Sequence, residues 1–349
     1  MKIIFFIISF IVAYSLTFLV KKVAWHFKIV DNPDNLRKIH SQPVALLGGT
    51  AIWLTVLLLV GYLAFFTDLI IGRDITARQI ISLMIGSGLL MVGGYLDDCY
   101  KLKPWQQILW PLLAVATVMV GGVTVSAVTN PLGGVIKLND FWPYLGLFLT
   151  FFWLLGTMYT TKLLDGLDGL ATGIGLIGSL IIFGLTQVTA FYQPSVGYLA
   201  LVMAGACLGF LWWNWQPAKI FLGEGGSLYI GFMLGVLAII SGSKIATALL
   251  VMGVPILDVV WVIIRRLFLE KKSLAASDRR HLHHRLLDVG LSHRQAVVFL
   301  YVLTALFGLT ALFLSSLGKI WALLVLVLVM IMLGIVLVWA YKKKQGQLI

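Results

Sequence analysis

The stretch KIIFFIISFIVAYSLTFLVKK, residues 2–22, runs from one lysine to a pair of lysines with no charge between them. A run of that length and apolarity crosses the hydrocarbon core of a bilayer as a single helix, which takes about 20 residues. No small-x-small cleavage signature precedes Lys21 and Lys22, so the segment reads as a retained helix rather than a signal peptide. Comparable runs recur along the chain. Near 3–20, 47–66, 79–96, 107–125, 142–160, 170–188, 196–213, 226–241, 245–264, 296–314 and 319–341 the sequence predicts spans, of which 226–241 is the shortest. The runs are continuous rather than alternating, which argues against a strand barrel. The chain is 60% hydrophobic and 11% charged, with a mean hydropathy of +1.00, more apolar surface than a water-soluble domain needs. The expected fold is all-α: a polytopic membrane protein of about 11 transmembrane helices forming a single domain over residues 1–349.

The charges orient these spans. One set of alternating loops carries 20 of the 26 lysines and arginines, including Lys21, Lys22, Lys101, Lys103, Lys162, Lys219, Arg265, Arg266 and Lys342–Lys344. The other set holds Lys2, Arg73, Arg78, Lys137, Lys244 and Lys319. Positive-inside asymmetry then puts the first set in the cytoplasm, the N-terminus outside and the C-terminus inside. Residues the rule never used sort the same way. All six histidines fall inside, and of the 14 acidic residues only Asp68, Asp74 and Asp140 fall outside. Polar chemistry therefore gathers at one face, whereas a channel or transporter lines a path through the bilayer. The net charge of +12 follows from that topology, so nucleic acid is not an expected partner. Cys99 lies in a loop and Cys207 within a span, so free thiols are expected. Gly205 and Gly209 form a small-xxx-small pair suited to helix packing. The outer loop 126–141, with its NPLGG turn, predicts a small hairpin.

Four inner loops carry unusual residues. In GGYLDDCYKLKPWQQ, 93–107, the adjacent carboxylates Asp97 and Asp98 repel each other and call for a hard cation such as Mg²⁺, or else mark a solvated helix end. In TKLLDGLDGLATG, 161–173, Asp165 and Asp168 share one face of a turn whose glycines admit a close neighbour, or else cap the following span. In NWQPAKIFLGEGGS, 214–227, Glu224 sits in a glycine turn before a span, where backbone amides can hold phosphate, or the turn is an ordinary one. In DRRHLHHRL, 278–286, three histidines and three arginines suit a diphosphate better than zinc, or form a plain basic juxtamembrane loop. Together they suggest Mg²⁺ and a phosphate-rich soluble substrate meeting a lipid at the bilayer surface.

Read in order, these motifs make the chain resemble the polyprenyl-phosphate N-acetylhexosamine-1-phosphate transferases, which include phospho-MurNAc-pentapeptide translocase. The resemblance runs through DNPDNLRKIHSQPVALLGG (31–49), YLDDCYKLKP, LLDGLDGLATG, NWQPAKIFLGEGGSL, VPILDVVWVIIRR (254–266) and DRRHLHHRLLDVGLS, nearly the full length. The H-x-H-H-R form looks like the GlcNAc-1-phosphate branch.

The resemblance implies attack of a polyprenyl (undecaprenyl) phosphate on the β-phosphorus of a UDP-N-acetylhexosamine, with UMP leaving and a cell-envelope glycan started. It implies a bacterial cytoplasmic membrane protein whose catalytic loops, near 21–46, 97–107, 161–169, 214–226 and 265–294, face the cytoplasm. By position, Asp97, Asp98, Asp165 and Asp168 are the expected catalytic residues. Glu224, Asp98 and Asp168 are the expected ligands for Mg²⁺, or for Mn²⁺ in its place. Lys162, Asn214, His281, His283, His284 and Arg285 are the expected substrate-binding residues. A homodimer is the assembly considered. Three positions depart from the family pattern: Lys162 stands for asparagine, Glu224 for aspartate and Gln107 for lysine.

Overall fold

The computed structural model describes residues 2–33, 42–72, 74–130, 133–188, 192–242, 245–270 and 281–346. Arg37, Lys38, His40, Arg73, Lys244, Lys271, Lys272, Arg279 and Arg280 lie outside the described residues, as do Pro131 and Leu132 of the outer turn. Among the described residues the protein is all-α with two short antiparallel strand pairs. Its helices are α1 (Lys2–His26), α2 (Gly48–Phe65), α3 (Ala77–Tyr100), α4 (Pro104–Val120), α5 (Leu145–Leu164), α6 (Leu170–Gln187), α7 (Pro194–Asn214), α8 (Gly223–Ile240), α9 (Ile245–Ile264), α10 (Leu282–Asp288), α11 (His293–Phe313) and α12 (Ser316–Lys344). Among the described residues ten helices are long and apolar enough to cross a membrane, and α4, at 17 residues, is a shorter apolar helix. Each of the eleven expected spans coincides with one of these.

Local chemistry sets the helix ends. Thr76 and Gln79 form a capping box at the start of α3, and Ser292 with Gln295 does the same for α11. Pro104 and Pro194 occupy first-turn positions of α4 and α7, where a missing N–H costs nothing. Lys101 closes α3 in the left-handed conformation, φ 51°, its N–H bonded to the Asp97 carbonyl.

Burial grades outward from the centre. In the most apolar windows of α7 and α8, 83% of residues are buried, against 17% in α1 and 11% in α12. The short span α8 is thus a central helix, enclosed by protein. It comes close to its neighbours because Gly225 lies against Gly94 of α3 and Gly226 against Gly49 of α2, where no side chain would fit. Gly205 and Gly209 do the same for α7, packing on the α1 backbone around Phe6 and Phe10, and Ser9 Oγ donates to the Val202 carbonyl at 2.6 Å. The outer loop forms the expected hairpin, β3 (Ala127–Thr129) antiparallel to β4 (Val135–Lys137). At the other end of the bundle β1 (Val30–Asp31) pairs with β2 (Val44–Ala45).

Candidate active site

The five inner loops converge on one pocket of about 1470 Å³. Backbone bonds stitch its rim: Phe221 N–H donates to the Ala45 carbonyl (2.8 Å), Gly48 N–H to Phe221 (2.9 Å) and Gly49 N–H to Leu222 (2.7 Å). The loop before α8 is thereby fixed to the loop before α2. Arg294, on the first turn of α11, adds a forked clamp on the Gln216 carbonyl through Nε (3.1 Å) and Nη2 (2.6 Å).

Asp97, Asp98, Lys162, Asp165, Asp168, Asn214, Glu224 and His284 all line this pocket. The two members of the acidic pair are held differently. Asp97 is buried, and its Oδ1 accepts from Leu102 N–H (2.8 Å) and Gln107 Nε2 (3.1 Å), bracing the α3–α4 turn. Asp98 Oδ1 accepts from Glu224 N–H (3.2 Å) at the start of α8, where the helix dipole favours a carboxylate. Its Oδ2 lies over Gly223, φ +77°, and a Cβ there would stand 2.5 Å away. A glycine satisfies both the backbone angle and the space.

Asp168 Oδ2 accepts from Ala218 N–H at 3.0 Å, tying the α5–α6 turn to the α7–α8 loop. Asp165 follows α5 and has no side-chain hydrogen-bond partner among the described residues. Burial in the pocket wall, then the charges of Glu224, Asp168 and Asp98, push its carboxyl up to about 8. Lys162 Nζ pairs with Glu224 Oε2 at 2.8 Å and lies 3.4 Å from Gln107 Oε1. A continuous polar chain therefore runs from Glu224 through Lys162 and Gln107 to Asp97.

Asn214 lines the pocket, yet its amide is spent on the fold. Oδ1 accepts from Gly169 N–H (3.0 Å) and Thr172 Oγ1 (3.2 Å), and Nδ2 donates to the Ile220 carbonyl (3.0 Å). The histidine run divides. His284 reaches the pocket, whereas His281 and His283 are buried behind it and Arg285 is half-buried on α10.

Three contributors were not assigned from the sequence. His293 lines the pocket beside Asp168. Tyr301 on α11 donates its hydroxyl to the Gly169 carbonyl. Asp258 is a lone carboxylate in an apolar helix, a signal that was legible, since such a group demands partners. Its partners, His281 and the Leu282 N–H, are over 20 residues away in sequence.

The donor set suits a hard cation completed by substrate. Among the described residues no three His, Cys, Asp or Glu side chains stand together as a ready metal cage. A structural zinc site needs such a cage, but Mg²⁺ keeps waters and takes one or two carboxylates plus substrate phosphates. Asp98, Asp165, Asp168 and Glu224 all line the pocket and could supply such oxygens.

Comparison with known proteins adds an independent line. Residues 80–242 match the family model described as glycosyl transferase family 4. A Bacillus subtilis (strain 168) protein named probable undecaprenyl-phosphate N-acetylglucosaminyl 1-phosphate transferase is 32% identical over 323 residues, 90% of this chain and 85% of its own length. A decaprenyl-phosphate N-acetylglucosaminephosphotransferase of Mycolicibacterium smegmatis is 34% identical over 319 residues, 84% of this chain and 77% of its own. A phospho-N-acetylmuramoyl-pentapeptide-transferase of Desulforamulus reducens is 32% identical over 246 residues, 67% of this chain and 71% of its own.

Proposed function

The chain is a membrane-embedded transferase belonging to glycosyl transferase family 4, and on that premise we propose that it moves GlcNAc-1-phosphate from UDP-GlcNAc to a polyprenyl phosphate. The observation that carries the proposal is the pocket itself. It gathers five separate loops, six carboxylates and four lysines at a single end of the helix bundle. Its volume exceeds the roughly 300–1,000 Å³ of an ordinary small-ligand site, leaving room for a nucleotide sugar and a lipid phosphate together. The GlcNAc donor is favoured because the relatives so named align over 84–90% of the chain, against 67% for the MurNAc-pentapeptide enzyme.

In this reading the pocket opens to the cytoplasm, as the positive-charge asymmetry suggests, in a bacterial cytoplasmic membrane. An oxygen of the prenyl phosphate forms a bond to the β-phosphorus, the bond from that phosphorus to the bridging oxygen breaks, and UMP carries the released charge away. Both partners are anions, so the protein's main task is to hold them in line. Asp98, anchored on the α8 N-terminus, orients the lipid phosphate and takes any proton it carries, with Asp97 bracing the turn beneath. Glu224, Asp98 and Asp168 would hold Mg²⁺, or Mn²⁺ in its place, with Asp165 as a further oxygen donor. A bound divalent cation supplies neutralisation of charge on the diphosphate. Lys162 supplies a second positive charge beside it, and His284 a further polar group lining the pocket.

Purified protein with Mg²⁺, undecaprenyl phosphate and a panel of labelled nucleotide sugars tests the assignment. UDP-GlcNAc should give labelled lipid at a rate at least ~10-fold above UDP-GalNAc or UDP-MurNAc-pentapeptide. Equal or better use of another donor would reassign the sugar, and no labelled lipid from any donor would leave a non-catalytic lipid-binding protein.

A further inference from the structure

The run His281-Leu282-His283-His284-Arg285 looks in sequence like one cluster aimed at one ligand. Its geometry is different. The Asp258 side chain, buried in α9, accepts two hydrogen bonds: Oδ2 from His281 Nδ1 at 2.9 Å and Oδ1 from Leu282 N–H at 2.8 Å. A buried carboxylate persists only when its oxygens are satisfied, and both are. The pairing makes Nδ1 the protonated nitrogen of His281 and fixes the start of α10. The His281 ring then lies parallel to that of His283, centroids 5.7 Å apart and planes within 5°. His283 Nε2 in turn lies only 2.3 Å from where a Cβ on Gly166 would be, so no side chain fits there. Gly166 is the residue after Asp165 in the carboxylate turn. Burial, then the neighbouring His284, His281 and His293, hold the His283 imidazole well below its usual range, so it packs as a neutral ring.

We propose that Asp258, His281 and His283 form a strut that positions the Asp165–Asp168 turn against α9, and that of the three histidines only His284 meets substrate. The strut connects the end of the membrane bundle to the reacting carboxylates. Asp258, His281 and His283 are positioning residues in an active site whose chemistry rests on the reading above. A ligand-binding histidine and a strut histidine fail differently. Losing a ligand contact raises KM for the nucleotide sugar. Losing the strut lets the turn drift, which lowers kcat and leaves KM within about twofold.

Two measurements on the full-length protein in detergent test this. Hydrogen exchange of peptides covering 161–173 needs no turnover, so it stands even if the donor assignment fails. His283→Ala and Asp258→Asn should each speed exchange at 165–169 by at least ~10-fold while α7 and α8 keep wild-type protection. Unchanged exchange at 165–169, with any change confined to 282–288, would overturn the strut. The second measurement is a steric cycle. Gly166→Ala should lower kcat at least ~10-fold through collision with His283, and adding His283→Ala should recover several-fold of that loss. No recovery, with a raised KM for nucleotide sugar in His283→Ala alone, would make His283 a substrate ligand instead.

Discussion

Lys162 in the last turn of α5 and Gln107 in the first turn of α4 are 55 residues apart, yet Nζ and Oε1 are 3.4 Å apart. The resemblance read from the sequence implies a family lysine near 107 and an amide near 162. The structure brings the two positions to one spot, so exchanging the residues should move the ammonium by little. The folding cost of removing it is small. Lys162 and Glu224 side chains are 20% and 40% exposed, so solvent screening limits their 2.8 Å ion pair to about 1 kcal/mol or less. The catalytic cost is larger, because the charge is positioned in a partly desolvated pocket. Lys162→Asn should lower turnover at least ~10-fold, about 1.4 kcal/mol in the barrier. Gln107→Lys alone keeps a donor for Asp97 and the Leu102 carbonyl, the present partners of Nε2. It also puts a second ammonium beside Lys162, and should impair turnover through like-charge repulsion. The double exchange should run at least ~10-fold faster than Lys162→Asn alone, a coupling of roughly 1.4 kcal/mol. Initial rates of labelled-lipid formation, with thermal melting as a folding control, decide it. Strictly additive effects on log rate, or a Lys162→Asn enzyme with unchanged turnover and affinity, would refute the charge-exchange argument.

Other outcomes follow from the same pocket. Asp98→Asn and Asp165→Asn should each cost at least ~10²-fold in turnover, with melting temperature nearly unchanged; activity near wild type in both would reduce them to helix caps. The Asp165 carboxyl, raised to about 8, keeps its proton in the ligand-free folded protein at pH 6 and loses it in the unfolded chain. Its contribution to stability is therefore fully present below the unfolded value of 3.8 and is lost progressively as pH rises from there to about 8. Mg²⁺ must displace that proton, so its affinity should weaken up to tenfold from pH 8 to pH 7, and its stabilising effect on melting should be larger at pH 8 than at pH 6; a pH-independent affinity would remove Asp165 from the cation's surroundings. His284→Ala should raise KM for the nucleotide sugar several-fold and leave that for the lipid phosphate within twofold, measured by varying each substrate in turn.

Among the described residues the apolar runs alone located the ten helices long enough to cross and the shorter α4, because a bilayer-spanning helix must satisfy its backbone internally and be apolar for about 20 residues. Burial was not legible in the same way. Residues 226–241 look like the weakest span, yet α8 is among the most enclosed helices, since glycines rather than bulk set its packing. The carboxylate motifs were legible because charge is rare in such a chain. Their division of labour was not. Asp97 braces a turn while Asp98 sits on a helix N-terminus, and Asn214 spends its amide on Gly169, Thr172 and Ile220. Asp258 and His293 gain their meaning only from partners distant in sequence, which local spacing does not encode.

The central claim is that a sugar phosphate, not a sugar, is transferred. UDP-GlcNAc labelled with ³²P at the β-phosphorus, incubated with the purified protein, Mg²⁺ and undecaprenyl phosphate, reads this directly. The account predicts that label moves into the organic-extractable lipid while an equal amount of unlabelled UMP appears in water. Label left in water-soluble UDP while the lipid gains sugar, or no labelled lipid under conditions where the B. subtilis relative makes it, would contradict the account.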